Sequence, residues 1–143
     1  DGFARAGGGK GFADFDIVPT VTAMVSDDRD SARDAMRHYV ALYVGGMGSR
    51  KQNFYNALVR RYGFEEAADT VQELYLEGRK DEAAAALPAE LIDTLCLVGP
   101  PDVVRERLAV YRDAGVGTLM ISPMAWTFED RLAQLRAVAE LTE

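Results

Sequence analysis

The chain has 143 residues, 48% of them apolar and 27% charged, which is the composition of an ordinary globular domain with a real core. Sixteen basic against 23 acidic residues give a formal charge of −7, and no block of Lys and Arg interrupts the sequence, so nucleic acid is not an expected partner. The longest stretch without a charge, residues 114–128, contains Pro123 and is too short to span a bilayer, so no membrane partner is expected either. No basic and apolar leader opens the sequence, and the expected location is the cytoplasm. Single Cys96 and His38 exclude a disulfide framework and His- or Cys-rich metal clusters, and no metal site is expected.

Residues 4–10 read as a frayed helix end, with Gly7, Gly8 and Gly9 suited to left-handed dihedrals. The segment DIVPTVTAMV at 16–25 is dense in β-branched residues and predicts a strand over 17–25, with Pro19 at a bend or near the strand's start. Ser26, Asp27 and Asp28 supply capping groups for a helix whose apolar stripe is Ala32, Met36, Tyr39, Val40, Tyr43 and Val44, stopped by Gly45 and Gly46. A second helix is predicted over 50–62 with Phe54, Leu58 and Val59 inward, and a third over 65–77. Short helices follow over 81–87 and from Pro88 to about 93. A fully apolar strand is predicted over 94–98 (TLCLV), then a helix over 102–114, a strand over 118–122 (TLMIS), and a last helix to 141 capped by Thr127.

Strands alternating with helices mean parallel βαβ units in an α/β fold. Three strands are few for an independent parallel sheet, whereas a (β/α)8 barrel takes roughly 250 residues. The chain therefore reads as a single domain over 1–143, the C-terminal part of a (β/α)8 TIM barrel. It would comprise the last three strand–helix units plus a helical insertion at about 45–93. The open edge of such a sheet is expected to be covered by a second copy or by a further part of the barrel.

Residues 45–51 (GGMGSRK) are the first candidate site. Gly45, Gly46 and Gly48 let backbone N–H groups approach an anion, Arg50 and Lys51 add charge, and Ser49 offers a cap for the next helix. The alternative is a plain helix connection with two solvated cations. Asn53 and Tyr55 either face a ligand or cap this loop. Ser122 ends the third strand, and with residues 123–126 it offers a ligand mouth in which Trp126 stacks on a flat ring or packs on the last helix. Pro100 and Pro101 remove two backbone donors after the second strand and argue against an anion there. His38 reads as solvated and Cys96 as a small core residue.

In the segments 16–28 (DIVPTVTAMVSDD), 43–55 (YVGGMGSRKQNFY) and 97–114 (LVGPPDVVRERLAVYRDA) the sequence resembles the luciferase-like monooxygenase superfamily, in its F420-dependent oxidoreductase branch. The resemblance implies a (β/α)8 barrel that binds F420 or FMN at the C-terminal ends of its strands. It further implies hydride or oxygen chemistry on a small-molecule substrate, and frequently a dimer. The family's cofactor phosphate loop lies after its fifth strand and would precede Asp1, so the catalytic residues are expected upstream. An inactive α/β module serving association is the alternative reading.

Overall fold

The structure is a computed structural model that describes residues 2–142. Its elements are α1 (Gly2–Ala6), β1 (Thr20–Val25), α2 (Arg29–Ala41), a π-helical turn (Leu42–Gly46), α3 (Phe54–Arg61), α4 (Glu65–Leu76), α5 (Lys80–Ala85), α6 (Ala89–Leu95), β2 (Leu97–Gly99), α7 (Pro101–Asp113), β3 (Met120–Pro123) and α8 (Phe128–Glu140). The three strands form one parallel sheet, as the strand–helix alternation predicts.

The sheet carries an apolar layer on each face, because successive side chains of a strand point to opposite sides. On one face, Val98 and Cys96 join Met36, Val40, Leu91 and Ile92, with Met24 packed against them. On the other, Val21, Ala23 and Leu97 meet Val104 of α7 and Val138 of α8. Met36, Leu91, Ile92 and Leu97 are fully buried, each contributing about 1.5–3 kcal/mol of hydrophobic stabilisation.

The strand order is β2-β1-β3, with β1 in the centre. In a closed barrel successive strands are neighbours, which would put β2 in the middle. The four residues of β3 find a full register along β1, Thr20 opposite Met120 through Ala23 opposite Pro123. β2 has only three residues to offer.

Several element boundaries also differ from the sequence expectation. The strand expected at 94–98 lies at Leu97–Gly99. Thr94 instead closes α6 by donating its hydroxyl to the Glu90 carbonyl at 2.7 Å, and the Cys96 N–H reaches the Ile92 carbonyl at 2.8 Å. β1 begins at Thr20 rather than 17, directly after Pro19, whose carbonyl accepts from the Met120 N–H at 3.0 Å. β3 begins at Met120 rather than 118. The helix expected from 50 begins at Phe54, and Phe54, expected inward, is 71% exposed.

Candidate functional site

The connection between α2 and α3 is built by close packing and by two buried asparagines. The last turn of α2 widens into the π turn, and α4 lies so close that a Cβ on Gly45 or Gly46 would collide with the side chain of Tyr75. Gly48 takes φ +136°, a conformation other residues rarely adopt, and its backbone abuts the Gln52 carbonyl. The Gly48 N–H is already satisfied by the Gly46 carbonyl at 3.0 Å, and the Gln52 N–H by that of Ser49 at 3.0 Å.

Asn53, not Ser49, caps the next helix. Its Oδ1 accepts from the Asn56 N–H at 3.0 Å, while its Nδ2 donates to the carbonyls of Val44 at 2.9 Å and Tyr43 at 3.2 Å. Asn56 continues the network, donating Nδ2 to the Ala68 carbonyl at 2.7 Å and to that of Val44 at 3.3 Å. A helix end leaves carbonyls without intrahelical partners, and these two side chains fill that need. Asn56 was not anticipated from the sequence. Arg50 and Lys51 are exposed and enter no ion pair among the described residues.

Ser122 stands elsewhere, in β3 opposite Thr22, and among the described residues no hydrogen bond joins it to the glycine connection. The C-terminal ends of the strands carry capping and ion-pair contacts. Asp28 caps α2, accepting from the Ser31 N–H at 3.0 Å and the Ser31 hydroxyl at 2.7 Å, and these hydrogen bonds hold its carboxyl below the usual range. Asp93 of α6 receives Arg33 in a two-pronged contact at 2.9 and 2.7 Å, and Arg29 at 3.0 Å, which ties the start of α2 to α6. Gln134 of α8 closes the end of β1, accepting from the Val25 N–H at 2.7 Å and donating to its carbonyl at 3.1 Å.

Beyond β2, Pro100 and Pro101 present no N–H, and a Cβ on Gly99 would meet the Arg29 side chain at 3.4 Å. These residues form no cradle for a phosphate. Trp126 beside β3 is 90% exposed, so it is not buried against the last helix. His38 is exposed, 3.8 Å from Asp81, as expected of a solvated group. Burial pushes the Cys96 thiol up to about 12, so it is no nucleophile at neutral pH.

Sequence reasoning also missed a cleft of about 420 Å³ under the C-terminal half of α2, with Tyr39, Tyr43 and Tyr55 at one side and Thr20, Thr22 and Cys96 at the other. Tyr39 and Tyr43, read as core from their spacing, are exposed and half-buried respectively and form its rim. No helix among the described residues is long and apolar enough to cross a membrane.

The geometry agrees with what comparison with known proteins shows. The family model of luciferase-like monooxygenases matches residues 2–118. Over 122 residues the chain is 40% identical to Mycobacterium tuberculosis Rv3520c, whose name gives it as an inferred coenzyme F420-dependent oxidoreductase; the match covers 85% of this chain and 35% of that protein. It is 33% identical over 120 residues to the 5,10-methylenetetrahydromethanopterin reductase of Archaeoglobus fulgidus, covering 80% of this chain and 33% of that one. The coenzyme F420-dependent tetrahydromethanopterin reductase of Methanopyrus kandleri superposes with a TM-score of 0.69 at 21% identity, over 97% of this chain and 36% of that chain, which shows the shared fold. The chain thus spans about a third of the length of these relatives, with the α/β architecture of part of a (β/α)8 barrel. It belongs to the luciferase-like monooxygenase family.

Proposed function

We propose that the chain serves as the C-terminal part of a (β/α)8 barrel that binds coenzyme F420 and transfers a hydride between its ring and a small-molecule substrate. The observation that carries this reading is the similarity, over most of the chain, to relatives named as F420-dependent or as reductases. It favours F420 over FMN and hydride transfer over oxygen chemistry. When bound, the cofactor supplies the redox step, and the protein binds, orients and excludes water.

Within that barrel, residues 45–93 form a helical insertion after β1. Arg50 and Lys51, exposed and in no ion pair among the described residues, meet an anionic group of cofactor or substrate that extends past the far end of α2. Gly45, Gly46, Gly48, Ser49 and Asn53 hold the loop that presents them, and Ser122 with Trp126 contributes to the rim of the mouth. The free sheet edges of β2 and β3 are covered by the rest of the barrel or by a second copy, and the protein works in the cytoplasm. One observation favours the inactive module for the chain in isolation: the turn after β2, with Pro100 and Pro101, provides no phosphate cradle.

The test is a fluorescence titration of F420 into the protein that carries this chain, wild type against Arg50→Ala. Loss of one charge-assisted contact of about 2 kcal/mol appears as an approximately 30-fold rise in Kd. The melting temperature should hardly move, because an exposed arginine adds little to the fold. Unchanged affinity and kinetics would show that residues 45–51 are a helix connection only.

A further inference from the structure

We propose that the cleft beneath the C-terminal half of α2 binds a small, neutral, planar aromatic molecule that carries a hydrogen-bonding group, of the phenol class. At about 420 Å³ the cleft has the volume of a small-molecule site. No charged side chain lines it, so an anion or cation would lose its hydration without compensation, and a neutral occupant is selected.

Its aromatic side is already arranged around one ring. Tyr43 lies with its centroid 4.8 Å from Tyr39, tilted by 49°, and 4.7 Å from Tyr55, edge-on at 87°. Rings in this spacing leave faces and edges open to a further flat ring, and such contacts add to plain area burial. Val40, Val44 and Leu58 supply the apolar remainder.

The polar anchor is Thr22. Its side chain belongs to a residue only 6% exposed, it lines the cleft, and no hydrogen bond to its hydroxyl occurs among the described residues. The hydroxyl is not among the sealed-off polar atoms of the described residues, so it is reachable from the cleft, and a ligand O–H or carbonyl takes the place of water on it. Cys96 beside it stays protonated, held so by burial, and adds a soft apolar surface rather than a charge.

The site borders the connection 45–51, whose neighbours Tyr43, Val44 and Tyr55 line it, and lies away from the C-terminal ends of the strands. α2 starts just past the C-terminal end of β1 and runs back along the sheet, so Tyr39 and Tyr43 at its far end lie toward the strands' N-terminal ends. Barrel active sites form at the opposite ends. The proposal rests on the cleft's own lining and not on the F420 reading, so either can fail without the other.

The experiment is a titration of the full protein that carries this chain, 15N-labelled at threonine and valine, with 2-naphthol, followed by amide shifts, with cyclohexanol as the aliphatic control. Expected are saturable shifts confined to Thr20, Thr22, Val44 and Val59, with a Kd that rises about fivefold in Thr22→Val. Thr22→Val keeps the side-chain shape. Should it fail to fold, Tyr55→Leu at the exposed rim is expected to weaken naphthol but not cyclohexanol. Shifts that do not saturate, that scatter over the surface, or that cyclohexanol reproduces at equal affinity overturn the proposal. So does a Kd unchanged by both substitutions.

Discussion

Replacing Asn53 by Ala separates a structural role for the glycine connection from a ligand-binding one. The substitution removes the cap on α3, worth about 1 kcal/mol. It also leaves the Tyr43 carbonyl without its amide donor, while the Val44 carbonyl keeps a weaker bond from Asn56 at 3.3 Å. One buried acceptor left unpaired costs about 1–3 kcal/mol. Together these give about 3 kcal/mol, or a fall in Tm of roughly 6–12 °C for a chain of this size. Asn53→Asp sharpens the test, because it retains the capping oxygen but turns a carboxylate toward two carbonyls. Repulsion raises the folded-state pKa of that carboxyl above its unfolded value, so Asn53→Asp should lose stability as the pH rises through that range and recover it below about pH 4. Thermal melts of the three proteins between pH 3.5 and 7.5 read all of this. An Asn53→Ala protein that melts within about 2 °C of wild type yet binds ligand less tightly would refute the reasoning and make Asn53 a ligand contact.

Gly45→Ala should destabilise by about 1–3 kcal/mol, since its methyl would be driven into Tyr75; denaturant unfolding checks this, and a shift under about 0.5 kcal/mol would contradict the packing. Cys96 in the native chain should resist a thiol reagent at pH 8 and react only on unfolding. Because burial raises the folded thiol's pKa to about 12 from 9.0, the unfolded chain ionises first and stability should fall as the pH climbs from about 9 toward 12, a loss that Cys96→Ala should lack. Asp93→Asn should weaken the hold on Arg29 and Arg33 and destabilise by about 1–3 kcal/mol, an effect that 1 M salt should only partly reproduce because Asp93 and Arg33 are half-buried.

The parts of this fold that local chemistry dictates are legible in the sequence. The stripe through Ala32, Met36 and Val40 faces the core of α2, Asp28 and Thr127 cap their helices, and the apolar run around Leu97 is a buried strand. The parts decided by tertiary partners are not. Ser49 and Asn53 are both good capping residues, and only the position of the Tyr43 and Val44 carbonyls selects Asn53. Thr94 and Leu95 have strand-like side chains, but strand pairing starts only where Ala23 stands opposite Leu97. Phe54 falls on the inward spacing of a helix starting at 50, and starting at Phe54 turns it outward. The three glycines suggest an anion loop, whereas at two of them the missing side chain makes room for Tyr75, some 30 residues on, which no local pattern announces. The resemblance through residues 43–55 pointed to the family without saying what those residues do.

The most direct test of the central claim is isothermal calorimetry of the protein that carries this chain with F420 and, separately, with FMN. The account predicts one F420 per barrel with micromolar affinity, and FMN at least about 100-fold weaker, a difference of roughly 2.7 kcal/mol. FMN binding at equal or higher affinity, or no binding of either, would contradict it.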